Sequence, residues 1–132
     1  AALGLAQLEQ IEDFIRHKID TYNFYYEQLH GKHNYGIQPF RPGTRSNHWF
    51  YSLYVYDTHP MKRDEIIAAL KAQGIQTRPI WGLIQDQADY PKNEAYGTDL
   101  ARHYWERIVN IPCSTNLTRA DAQRVVDVLL SL

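Results

Sequence analysis

Gly74-Ile75-Gln76-Thr77-Arg78-Pro79-Ile80-Trp81 decides how the middle of this chain folds. A helical pattern over Arg63 to Gln73 runs into Gly74, the residue expected where the backbone turns left-handed just past a helix C-terminus. Ile75 and Thr77 then alternate with polar Gln76 and Arg78, which predicts a short strand. Pro79 is expected to end it, having no N–H to give to a ladder. The stretch therefore delivers an arginine, a proline and a tryptophan together at a strand end, where ligand-facing groups often sit.

Working outward, the N-terminal side begins in mid-pattern. Ala1 to Leu8 already reads as helix without a Met, a cap or a preceding turn, so the chain is expected to be a piece of something larger. Leu5, Leu8, Ile11, Ile15, Ile19, Tyr22 and Tyr26 recur at three- and four-residue steps. They predict one long amphipathic helix over residues 1–30 that ends near His30-Gly31. Ile37-Gln38-Pro39-Phe40 reads as a short strand limited by Pro39, and Arg41 to Asn47 as a loop. His48 to Tyr56, rich in aromatic and β-branched residues, is the clearest strand. Trp49 is expected in the core.

On the C-terminal side, residues 82–97 show no period. Thr98 is placed to cap a helix over Asp99–Arg107, and Ile108-Val109-Asn110-Ile111 is a strand stopped by Pro112. Thr118 with Asp121 resembles a capping box opening a final helix, with Ala122, Val125, Val126 and Leu129 facing inward. The predicted class is α+β: one domain with a small, mostly antiparallel sheet backed by helices.

Composition narrows the function. With 132 residues, 44% hydrophobic and 22% charged, the chain has the makeup of a globular domain with its own core. A net charge of -1 gives no electrostatic case for a nucleic-acid partner. A membrane partner is equally unsupported, for no apolar run approaches the ~20 residues that a span needs. The single cysteine, Cys113, excludes an internal disulfide and fits a cytoplasmic setting; it is expected to be buried and inert. Asn116-Leu117-Thr118 matches a glycosylation sequon, a pattern frequent by chance. The ten tyrosines read as large half-buried side chains rather than a base-stacking platform.

Motifs for catalysis are missing. The chain has no phosphate-binding glycine loop, no dinucleotide turn and no Ser-centred elbow. His30 and His33 flank Gly31 at a helix end without Cys or carboxylate partners, so no metal is expected. Lys62-Arg63-Asp64-Glu65 reads as a solvated first helical turn.

Several blocks, taken in order, resemble the C-terminal domain of the DegT/DnrJ/StrS family of pyridoxal-phosphate sugar aminotransferases. Ala1 to Leu8 resembles that family's opening helix and Ser46 to Val55 its aromatic strand. Arg63 to Leu70 with Gly74-Ile75-Gln76-Thr77 resembles its central block, and Asn110-Ile111-Pro112 to Thr118, with Asp121 and Val125, its closing block. Arg78 to Ile84 with Gln87, and Asn110 to Thr118, look most like aminotransferases of nonulosonic (legionaminic-type) acid pathways, with perosamine-type synthases the nearest competitor.

The resemblance implies the C-terminal small domain of a fold-type I pyridoxal-phosphate aminotransferase, spanning residues 1–132. Its first helix would link to a large domain. That large domain would hold the cofactor, the Schiff-base lysine and the acid on the pyridine nitrogen. It also implies transfer of an amino group from glutamate to a nucleotide-linked 4-keto-6-deoxy sugar, in a cytoplasmic homodimer. No residue of this chain is then catalytic or cofactor-binding, and the chain alone is expected to be inactive. Arg78, Trp81 and Asn47 are the candidate substrate-binding residues: the arginine for a phosphate or sugar hydroxyl, the tryptophan for stacking, the asparagine as a donor. Where many members carry His-Tyr or His-Phe this chain has Ile80-Trp81, so that histidine's role does not transfer. A non-catalytic binding or regulatory module with the same small-domain fold is the alternative.

Overall fold

Gly74 takes φ +71°, and around it the computed structural model, which describes residues 1–89 and 94–132, turns from helix to sheet as the sequence expects. The helices are α1 (Ala2–Glu9), α2 (Ile11–Leu29), α3 (Arg63–Ala72), α4 (Asp99–Trp105) and α5 (Arg119–Leu130). The strands are β1 (Tyr35–Ile37), β2 (Tyr51–Val55), β3 (Arg78–Pro79) and β4 (Ile108–Ile111). They form one sheet in the order β1-β2-β4-β3, with every neighbouring pair antiparallel. The class is α+β.

Period-two alternation assigns the two faces of this sheet. Tyr51, Leu53 and Val55 are buried while Ser52 and Tyr54 are half-buried, and Val109 and Ile111 are buried while Ile108 and Asn110 are half-buried. The buried set meets α2, α3 and α5 in one core that includes Tyr25, Leu29, Ile66, Leu70, Val126 and Leu129. The inward residues foreseen for α5 are all there. Its start is capped as expected, with Thr118 Oγ1 accepting from the Asp121 N–H at 3.1 Å, an interaction typically worth about 1 kcal/mol.

Several expectations need correction. The single helix over residues 1–30 is two, broken at Gln10 (φ -109°, ψ 2°). Gln10 turns its side-chain amide back to the Ala6 carbonyl. Leu5 and Leu8, placed by pattern in the inward stripe, lie on α1, which contributes no buried residue. The buried part of the stripe belongs to α2 alone, where Tyr22 is joined by Phe24 and Tyr25.

The first strand lies earlier, at Tyr35–Ile37; the Gln38 N–H still reaches the Ser52 carbonyl at 3.0 Å, and the ladder stops at Pro39. β2 is shorter than His48–Tyr56 because His48 adopts φ +50°, which leaves the extended region. β3 ends at Pro79 as expected, but it begins only at Arg78 and includes the proline. Pro79 stands opposite Val109 on the outer strand of the sheet, where its missing N–H leaves no partner unsatisfied. Ile75 to Thr77 keep the predicted in-out alternation without ladder pairing.

α4 ends at Trp105, and residues 84–86 of the irregular stretch form one 3₁₀ turn; part of that stretch, 90–93, falls outside the described residues. Within the run Lys62 to Glu65, Arg63 is not solvated. It is 7% exposed, lies 4.7 Å from the Trp105 ring centroid and donates to the Trp105 carbonyl. No helix among the described residues is long and apolar enough to cross a membrane.

Candidate functional site

The sheet face turned away from α2, α3 and α5 carries the even-numbered strand residues. Register places Ser52 opposite Asn110 and Asn110 opposite Arg78, while the Gln38 N–H meets the Ser52 carbonyl. A polar row thus crosses the sheet from β1 to β3. Cross-strand partners on one face sit within side-chain reach, and Ser52 Oγ donates to Asn110 Oδ1 at 3.1 Å.

At the β3 end of this row lies a concavity of about 270 Å³ whose lining includes Phe50, Gln76, Arg78, Trp81, Asn110 and Pro112. Arg78 is exposed and makes no ion pair among the described residues. Trp81 is 75% exposed and meets the Phe50 ring edge-on, centroids 6.2 Å apart. Arg78 and Trp81 are therefore brought together.

Asn47 is placed elsewhere. It is exposed on the approach to β2, and its Oδ1 accepts from the Trp49 N–H at 3.1 Å, an Asx-type turn. Trp49, expected in the core, is 62% exposed and stacks on Phe50 at 4.7 Å. The left-handed backbone at His48 gives the inward position to the histidine ring instead, which packs 4.0 Å from Phe40. Burial holds the His48 pKa below the usual histidine range.

A broader hollow of about 690 Å³ covers the β1–β2 end of the same face, walled by Gly36, Gln38, Ser52, Tyr54, Tyr56 and Tyr104 among others. Tyr54 Oη and His103 Nε2 are hydrogen bonded at 2.8 Å, which ties α4 to the sheet. Gly36 leaves room for Tyr56: a Cβ built there would stand 3.0 Å from its hydroxyl.

Sequence reasoning passed over Ser52, Asn110 and Phe50. Their signal was nonetheless present, as the even positions of Phe50-Ser52-Tyr54-Tyr56 and the lone polar residue inside Ile108–Ile111.

The described side chains do not fit pyridoxal phosphate. Lys32, Lys62 and Lys71 are exposed. Lys18 is half-buried, and burial lowers its pKa, but its ammonium is engaged by the carbonyls of Trp49 and Cys113. The Cys113 thiol is half-buried and its pKa is raised by burial, the opposite of an activated nucleophile. His30 is occupied structurally: Nδ1 accepts from the Ile37 N–H at 3.1 Å. Among the described residues no group of three or more His, Cys, Asp or Glu is arranged to hold a metal.

A family model described as the DegT/DnrJ/EryC1/StrS aminotransferase family matches residues 1–130. The chain is similar to the GDP-perosamine synthase of Caulobacter vibrioides, 28% identical over 130 residues, covering 98% of this chain and 35% of that protein. It is also similar to the dTDP-4-amino-4,6-dideoxy-D-glucose transaminase of Shigella dysenteriae, 29% identical over 133 residues, covering 98% of this chain and 36% of that protein. Among solved structures, DesI in the presence of its TDP-sugar product superposes with a TM-score of 0.91 at 21% identity, over 98% of this chain and 34% of that one; at this identity the likeness is one of fold. The chain spans about a third of the length of the curated relatives it matches. With the family model covering nearly every residue, the chain belongs to the DegT/DnrJ/EryC1/StrS aminotransferase family.

Proposed function

We propose that this chain is the C-terminal small domain of a pyridoxal-phosphate-dependent aminotransferase. The whole enzyme would move an amino group from glutamate to a nucleotide-linked 4-keto-6-deoxy sugar. The observation that carries this reading is family membership over residues 1–130, joined to a concavity that holds an arginine, unpaired among the described residues, beside an exposed tryptophan. Two relatives bear names that couple a nucleotide to a sugar, which supports the same substrate class. The cofactor supplies an electron sink for moving the amino group, and a large domain supplies its lysine and phosphate cradle.

Within this chain Arg78 holds acceptor oxygens of the substrate and Trp81 stacks against it; Asn47, on the approach to β2 and outside the lining of that concavity, is the third candidate donor. The apolar residues of α1, Leu3, Leu5 and Leu8, pack against the large domain. The enzyme is a cytoplasmic homodimer of the nonulosonic-acid (legionaminic-type) subgroup, an assignment resting on the Arg78–Ile84 and Asn110–Thr118 blocks; a perosamine-type substrate is its nearest competitor.

The full-length protein, given glutamate, pyridoxal phosphate and UDP- or GDP-linked 4-keto-6-deoxy sugars, is expected to release 2-oxoglutarate and a 4-amino sugar detectable by mass spectrometry. The 132-residue chain alone is expected to give neither turnover nor cofactor absorbance. Turnover by the short chain would sink the division of labour, and an inactive full-length protein would sink the enzyme reading. The poor fit of the described lysines to the cofactor also favours a second reading, a non-catalytic binding module. Upstream coding sequence without a lysine-bearing large domain would establish it.

A further inference from the structure

We propose that Asn110, oriented by Ser52, forms with Arg78 a donor pair that grips the diphosphate of a nucleoside diphosphate. This rests on the nucleotide-sugar reading above and adds to it the residues that hold the linker.

Ser52 Oγ donates to Asn110 Oδ1 at 3.1 Å, so the amide carbonyl is committed toward β2. A carboxamide has its oxygen and its NH₂ on different arms, so committing the oxygen to Ser52 on β2 leaves the NH₂ arm available away from Ser52, and β3 is the neighbour on the other side of β4. There Arg78 is the register partner of Asn110, and both line the same concavity. Arg78 adds a fork of donors with no carboxylate against it among the described residues.

Asn110 and Arg78 together offer donors and positive charge with no acceptor committed to a ligand. Such a set suits an acceptor-only, anionic group, and a diphosphate presents several oxygens over the span of two facing strands. The aromatic edge of Phe50 and Trp81 closes one side of the concavity, giving the attached nucleoside an apolar surface. Glutamate also offers anionic acceptor oxygens, in its carboxylates, and the test separates the two sources.

The measurement is calorimetric binding of UDP and GDP to the full-length protein, beside kinetics with a nucleotide sugar and glutamate. Wild type and the variants Asn110→Asp, Asn110→Ala and Ser52→Ala are compared. Asn110→Asp keeps the shape but replaces donors with an acceptor. It is expected to weaken nucleoside diphosphate binding roughly 30-fold or more, and Asn110→Ala about tenfold. Ser52→Ala, which leaves the amide in place but unsteered, is expected to weaken it about threefold. The KM for glutamate should stay within about twofold, and thermal melts establish that each variant is folded.

Unchanged nucleoside diphosphate binding in Asn110→Asp and Ser52→Ala overturns the proposal. So does an effect confined to the glutamate KM, which assigns the pair to a carboxylate. If wild type turns over no nucleotide sugar yet binds UDP or GDP in an Asn110-dependent way, the subsite stands and the enzymatic reading falls. If it neither binds nor reacts, both fall.

Discussion

The two faces of the sheet are made from the same strands, yet they obey different rules. On the helix side, Tyr51, Leu53, Val55, Val109 and Ile111 are packed to near-zero exposure, and the Tyr35 and Tyr51 hydroxyls end on carbonyl oxygens. On the other side, one residue along each strand, Arg78 makes no ion pair among the described residues, and Trp81 just beyond β3 stands in the open. The first face is organised by what excludes water, the second by what a ligand would bring. A substitution one position along a strand should therefore change the kind of effect, not only its size.

The largest test is alkaline pH. Burial raises the pKa of Tyr25 and Tyr51 well above 10 and pushes Tyr35 up to about 12. Above pH 10 the unfolded chain loses these protons while the folded chain keeps them. Their stabilisation is therefore complete below pH 10 and is lost as pH climbs through 12. Each group contributes a slope of about 1.4 kcal/mol per pH unit, so the three together give roughly 4 kcal/mol per unit. Absorbance at phenolate wavelengths should show exposed tyrosines titrating first and the buried ones ionising only with cooperative unfolding. Smooth titration of all ten without unfolding would remove the distinction between the faces.

Next comes the contrast between neighbours in β2. Leu53→Ala should cost about 3 kcal/mol in urea denaturation, as for a fully buried leucine. Ser52→Ala should cost less than about 1 kcal/mol while weakening ligand binding. Equal losses from both would erase the asymmetry.

At Gly74, where φ is +71°, Gly74→Ala should cost about 1 kcal/mol without touching either face. The finest test is among the tyrosines. Tyr35→Phe deletes a hydroxyl bonded to the Leu129 carbonyl at 3.2 Å and should cost about 1 kcal/mol. The Tyr25 hydroxyl is buried without a partner among the described residues, so Tyr25→Phe should be neutral or stabilising by up to about 1 kcal/mol. A clear loss on Tyr25→Phe would mean that a partner such as an ordered water holds it.

What was legible in the sequence depended on the range of the cause. β4, the cap and buried stripe of α5, and the Gly74 turn each arise from residues close to one another along the chain, and in each the local pattern and the structure agree. Arg63 is buried because it stacks on Trp105, forty-two positions away, and no local pattern carries that fact. Trp49, expected in the core, stands exposed while His48 is buried, because one left-handed residue breaks the alternation. For the site, Arg78 and Trp81 were visible as a strand-end pair. Asn110 and Ser52 joined them only through the antiparallel register, which the sequence of either strand alone does not state.

The break at Gln10 has a kinetic consequence. α1 has eight residues and no buried side chain, whereas isolated helices shorter than about twelve residues are marginal in water. Its hydrogen bonds are therefore only as persistent as the surface that shelters Leu3, Leu5 and Leu8. In amide-exchange measurements α1 should exchange at close to coil rates when unsheltered, while α2 just beyond Gln10 is protected with the core. The joint then reads out occupancy: protection of those eight amides reports whether anything is leaning on them.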